Sequence, residues 1–173
     1  MRLWCQDETR IGLHVPAGRR ITARGVKPIK VMAPLYQYSW LYAAVQPATG
    51  TAFWWELPAL DTACFQLFLD QFGQAHADSF NILVLDNAPA HVARAVQPPG
   101  NVALVYLPPY CPELNPVERL WQALKRHLTD RASTTRFTLN TLRHTVDQFV
   151  QTITSPQLAS LTGFPYLLNI KTH

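Results

Sequence analysis

The run Asn81–Leu85 (NILVL) is continuously apolar and stops at an acid, Asp86. A strand with no polar alternation has to be covered on both faces, which calls for helices on either side of a sheet. Residues 102–107 (VALVYL) repeat the pattern and are ended by Pro108 and Pro109. Two buried strands of this kind, joined through a short connection read as a helix, predict a parallel pair. The chain therefore needs a layered α/β arrangement and enough apolar residues to fill it. At 48% hydrophobic over 173 residues it has them, and its length suits one domain spanning 1–173.

The first third reads differently. Residues 2–8 (RLWCQDE) predict a strand that ends on acids, and residues 11–15 (IGLHV) a second short one. Residues 16–30 are basic and rich in Gly and Pro, as in a loop or hairpin arm. The aromatic, β-prone runs 38–46 and 51–57 flank PATG, a turn signal, and predict a hairpin. Residues 61–77 change to helical period, with Phe65, Leu67, Phe68, Leu69 and Phe72 on the apolar stripe and Asp61 as cap. A helix is predicted over 115–128, with Asn115 as N-cap and Pro116 in the first position. A last helix over 138–153 is stopped near Pro156. An antiparallel meander followed by helix-connected parallel strands makes a mixed sheet flanked by helices. The ribonuclease H-like fold has this layout.

Charge is distributed unevenly. Residues 1–30 carry seven bases against two acids, and residues 119–143 carry six against one. Residues 31–118 hold Arg94 and seven acids. Basic ends around an acidic middle suit a polyanion held about a metal site, although a solvated basic surface would look the same. The three cysteines (Cys5, Cys64, Cys111) have neither metal spacing nor an even disulfide set, so a reduced intracellular compartment is expected. Asp7 and Glu8 stand where a signal peptide would be apolar. The most apolar stretch, 38–55, is interrupted by Gln46, Pro47 and Gly50, so no membrane span is expected.

Three acids fall at element ends: Asp7, Asp86 and Glu118. Carboxyl ends of sheet strands are where α/β sheets place their sites. Carboxylates from distant positions can hold two hard divalent cations about 4 Å apart, the arrangement that drives in-line phosphoryl displacement. Taken singly, each acid reads as well as a turn residue or a helix-dipole partner.

The flanks of the acids are more specific. LDNAPAH (85–91), LPPYCPELNPVERLWQALKRH (107–127) and DETRIGL (7–13) closely resemble the DDE-type transposases of bacterial insertion sequences in the mariner superfamily, over about residues 1–130. The resemblance implies that Asp7, Asp86 and Glu118 are the catalytic and metal-binding triad, loaded with two Mg²⁺ or Mn²⁺ ions. It also implies DNA as substrate, a cut-and-paste route and a TA target, in the bacterial cytoplasm. Thirty-one residues (87–117) lie between Asp86 and Glu118, a short spacing that suggests a trimmed loop around Pro98–Asn101.

Around the triad, Asn87 and His91 read as supporting residues. His91 would orient a carboxylate, place a water or contact a phosphate, or simply make a structural hydrogen bond. Glu8 ranks below Asp7, because the next residue of a strand faces the other way. Asn115 reads as a cap, Trp121 as core fixing its helix to the sheet, and Cys111 as passive. Arg119, Gln122, Lys125 and Arg126 are candidates for following a DNA backbone, or plain solvated positions. Met1 lies six residues before Asp7. The expectation is therefore a catalytic domain without its own helix-turn-helix, working with a separate DNA-reading protein or frame and dimerising on DNA. Another ribonuclease H-like nuclease, or a silent DNA-binding remnant, are the competing readings.

Overall fold

The computed structural model describes residues 1–12, 38–132 and 138–168. Five strands form one sheet: β1 (Arg2–Gly12), β2 (Tyr38–Gln46), β3 (Thr51–Leu57), β4 (Asn81–Leu85) and β5 (Val102–Tyr106), in the order β3-β2-β1-β4-β5. The helices are α1 (Thr62–Ala75), α2 (Val117–Ala132), α3 (Leu139–Thr152), α4 (Ser155–Thr162) and α5 (Pro165–Leu168). The β1–β2 and β2–β3 pairs are antiparallel, while β1–β4 and β4–β5 are parallel. This is the expected ribonuclease H-like mixed sheet, a meander joined to parallel strands.

Each sheet face has its own core. Phe65, Phe68, Leu69 and Phe72 of α1 pack on Trp4, Tyr42, Leu83 and Leu85. On the other face, Val117, Leu120, Trp121, Leu124 and Leu128 of α2 pack with Cys5, Ile11, Ala43, Val45 and Val84, joined by Leu142, Val146 and Phe149 of α3. The apolar run of β4 follows from this double cover, since Val84 serves one core and Leu83 and Leu85 the other. Leu67, read as part of the apolar stripe of α1, is exposed instead.

Several local expectations need correction. β1 is one strand through Gly12, not two pieces. β2 pairs it residue by residue from Cys5↔Val45 to Gly12↔Tyr38 and holds the polar segment in the sheet. Asp7 is thus inside β1. It still lies at a carboxyl edge, because the parallel partner β4 is last paired at Cys5↔Val84. Residues 13–15 of the supposed second strand and the basic arm 16–30 fall outside the described residues. Residues 86–101 form turns rather than a short helix. β5 is an edge strand, with Val105 and Tyr106 exposed. Helix α2 starts at Val117 and runs on to Ala132.

Pro156 does not stop the last helix. It sits in the first turn of a further one, α4, where Thr154 and Gln157 form a capping box. The start of α4 rests on the β2–β3 turn. Gly50 there has φ +69°, and a Cβ at this position would stand 1.8 Å from the Ser155 carbonyl oxygen. Among the described residues no helix is long and apolar enough to cross a membrane.

Candidate active site

Strand alternation divides the Asp7–Glu8 pair between the two sheet faces. Asp7 turns toward α2, where the Trp121 indole N–H donates to its Oδ2 at 2.9 Å. Trp121 is fully buried and meets Trp54 edge-on at 6.1 Å between ring centres. The expected core role of Trp121 therefore comes with a polar one that the sequence did not reveal. An indole three residues after Glu118 was the available signal, since both sit on adjoining faces of α2.

Asn115 fixes how α2 meets the sheet. Its Nδ2 donates to the Gln6 carbonyl (2.9 Å) and its Oδ1 accepts from the Val117 N–H (3.2 Å), a buried link between the helix entry and the residue before Asp7. Glu118 follows in the first turn of α2. Burial and the negative charges of Glu8 and Glu118 raise the Asp7 carboxyl to about 8, although hydrogen bonds from the Glu8 backbone and Trp121 act against the rise.

The structure treats Asp86 differently. It is exposed at the end of β4, and its Oδ1 accepts from the Ala88 N–H (2.9 Å) and sits 2.8 Å from His91 Nδ1. The other ring nitrogen, Nε2, is 2.9 Å from Glu8 Oε1. His91 is buried, with its ring 4.3 Å from that of Phe65, and its carbonyl accepts from the Tyr106 hydroxyl. Burial pulls the imidazole down, but the bonds to Asp86 and Glu8 outweigh it and bring His91 up to about 10. The His91 hydrogen bond, in turn, holds Asp86 below the usual carboxylate range. Of the two open readings of His91, the geometry is that of a side chain bridging carboxylates.

Asp7 and Glu118 thus share one neighbourhood, whereas Asp86 is engaged by His91. Among the described residues no three His, Cys, Asp or Glu side chains are grouped so as to hold a metal ion. Asn87 Nδ2 donates to the Leu107 carbonyl at 2.5 Å, tying the end of β4 to the loop after β5. Asp86, Asn87 and that loop line a concavity of about 370 Å³. Gln122, Lys125 and Arg126 are exposed on α2. Arg119 lies over the Phe164 ring at 4.2 Å.

Two results follow from this geometry. Because Asp7 binds its proton more tightly in the folded chain, its contribution to stability is full below the ordinary carboxylate range near 4. It is lost as pH rises toward 8. Without divalent cation, the thermal midpoint should fall across that window, and Asp7→Asn should flatten the slope. An unchanged slope would show that Asp7 titrates normally. Trp121→Phe keeps most of the packing but removes the donor. Were Asp7 a cation ligand, the change would weaken cation binding about 10- to 100-fold, while circular dichroism stays that of the parent. Unchanged affinity in a calorimetric titration would make Trp121 a packing residue only.

A family model described as "DDE superfamily endonuclease" matches residues 2–140. The chain belongs to this family. Among curated proteins, the uncharacterized protein y4pE/y4sA of Sinorhizobium fredii is 37% identical over 89 residues, covering 51% of this chain and 66% of that protein. Among solved structures, the Mos1 transposase paired-end complex with left transposon end is similar at TM-score 0.69 and 18% identity, over 94% of this chain and 51% of that one. The BIV integrase catalytic core follows at TM-score 0.51 and 16% identity, covering 88% and 86%. These likenesses show a shared fold, the ribonuclease H-like core of transposases and integrases. The chain spans about half the length of the Mos1 chains it resembles.

Proposed function

We propose that the chain is the catalytic domain of a transposase, a divalent-cation-dependent endonuclease and strand transferase acting on DNA. The observation that carries this reading is the crowding of negative charge at Asp7. A carboxyl buried against Trp121, beside Glu8 and Glu118, is costly without a cation, and it is raised to about 8 for that reason. The donor set fits hard divalent ions such as Mg²⁺ or Mn²⁺, which prefer carboxylate oxygens. Asp7, Asp86 and Glu118 would hold them. Among the described residues, Asp86 keeps Oδ2 free of hydrogen bonds. When bound, such ions polarise the phosphate and stabilise the charge that develops in the displacement.

The protein's own part is to place and to hold. Asn115 locks the start of α2 onto β1, so that Glu118 stands by Asp7. Trp121 fixes one oxygen of Asp7, and the arrangement needs no protein nucleophile. In cleavage, a water oxygen bonds to phosphorus as the P–O3′ bond breaks. The products are a 5′-phosphate and a 3′-hydroxyl: the attacking water gives up a proton to solvent, and the leaving 3′-oxygen takes one up. In strand transfer the 3′-oxygen attacks a target phosphodiester and displaces the target's own 3′-oxygen. Gln122, Lys125 and Arg126, exposed on α2, and Arg119 would follow a phosphate backbone. Recognition of transposon ends would come from a helix-turn-helix segment or partner, and two copies would act together on paired ends. The test is nicking of supercoiled plasmid and of an end-labelled duplex with MnCl₂, MgCl₂ or EDTA. Cutting should require the cation and Glu118, and a Glu118→Gln chain that nicks as the parent does would sink the proposal.

A further inference from the structure

The second acid of the Asp7–Glu8 pair has no part in the scheme above, yet it is one of the most thoroughly held side chains in the molecule. Its carboxylate is 4% exposed. Glu8 Oε1 accepts from Gln6 Nε2 at 2.7 Å and faces His91 Nε2 at 2.9 Å. His91 is 1% exposed and closes on Asp86 Oδ1 at 2.8 Å through its opposite nitrogen. The result is a continuous hydrogen-bonded chain, Gln6–Glu8–His91–Asp86, buried as far as His91 and running from the α1 side of the sheet to the exposed Asp86 at the end of β4.

We infer that Glu8 is a positioning residue that acts through His91 to set the orientation of Asp86, and is not itself a cation ligand. The inference rests on the reading of Asp86 as a ligand. The physical case is one of torsional freedom. An imidazole bonded only to Asp86 could still turn about its Cβ–Cγ bond and carry the carboxylate with it. Glu8 at the far nitrogen pins both ends of the ring, and Phe65 packs against its face. With the Ala88 N–H as a second donor, Asp86 Oδ1 is held from two sides, while Oδ2 takes part in neither bond. Strand alternation puts Glu8 on the face opposite Asp7, and its Oε1 is turned to Gln6 and His91. Partners of this sort typically matter 10- to 100-fold in metal affinity or activity.

The experiment is calorimetric titration of the whole chain with MnCl₂ alone, alongside melting curves without cation. Glu8→Ala should weaken Mn²⁺ binding about 10- to 100-fold with the number of bound ions unchanged. Glu8→Gln should stay within about threefold of the parent, since an amide oxygen still accepts from His91 Nε2 but is a poor ligand for a hard cation. His91→Asn should lose as much as Glu8→Ala, and the double variant should lose no more than His91→Asn, because both substitutions break one path. A Glu8→Gln chain that binds fewer ions would make Glu8 a ligand and overturn the inference. So would losses that multiply in the double variant, or Glu8→Ala and His91→Asn chains that fold and bind Mn²⁺ as the parent does. Should Glu8→Ala not fold, Glu8→Gln and His91→Asn carry the test. If Asp86→Asn binds Mn²⁺ like the parent, the triad assignment fails instead, and that outcome is separate from the others.

Discussion

Asp7→Asn, Asp86→Asn and Glu118→Gln should each lower cation-dependent cutting by more than about a hundredfold, exceeding the cost of losing a residue that merely supports a ligand. Each change is isosteric, so packing is preserved and the loss falls on charge. The three should differ in stability. Asp7→Asn removes a buried carboxyl crowded by Glu8 and Glu118, so the chain without cation should melt higher than the parent at pH 8, where the parent carboxyl is losing its proton. Asp86→Asn should melt lower, since it takes away the charge that draws a hydrogen bond from the buried His91. Glu118→Gln relieves repulsion at Asp7 and should lower the Asp7 pKa. Kinetics of plasmid nicking together with melting curves at pH 5 and 8 would check all three. Three variants with parental rates would dispose of the triad.

Gly50→Ala should be the most damaging small substitution outside the site. The residue is in the left-handed region at φ +69°, where any side chain is strained, and the added methyl would stand 1.8 Å from the backbone oxygen of Ser155. No rotamer relieves a clash with backbone, so either the turn or α4 has to move. A loss of at least about 2 kcal/mol is expected, from strain of about 1–3 kcal/mol plus the displaced packing. For a chain of this size that is a fall of about 4–8 °C in thermal midpoint. Gly100→Ala is the control, because nothing lies within 4 Å of a Cβ there. Equal midpoints for the two variants would mean that α4 does not rest on the turn as described.

What could be read from the sequence followed from local physics. NILVL was legible as β4 to the residue, because only a strand covered on both faces is apolar throughout, and α1 and α2 supply the cover. PATG marked the β2–β3 turn because the chain must reverse there, and Asp61 caps α1 as its chemistry suggests. The failures have physical causes as well. Asp7 and Glu8 looked like the end of a strand, yet β2 carries β1 past them to Gly12, because its backbone pairs with β1 residue by residue whatever the side chains. Pro156 suits the start of a helix as well as it does a stop, and only the capping box of Thr154 decides between them. The Trp121–Asp7 and Glu8–His91 bonds join residues far apart in the chain. No periodicity encodes such pairs, so the acids were legible and what holds them was not.

The central position of β1 bears on when Asp7, Asp86 and Glu118 come together. β1 comes before β2, β3 and α1 in the chain, and its parallel neighbour β4 comes only after them. Asp7 meets Trp121 and Glu118 only once α2 has docked on the finished sheet. Pairings of such long sequence separation form late, and on a ribosome they wait for the distant partner to emerge. A nascent or clipped chain ending before α2 would present Asp7 and Asp86 without Glu118. Asp7, Asp86 and Glu118 therefore come together only with the completion of folding, and under the proposed function an incomplete chain would lack a ligand.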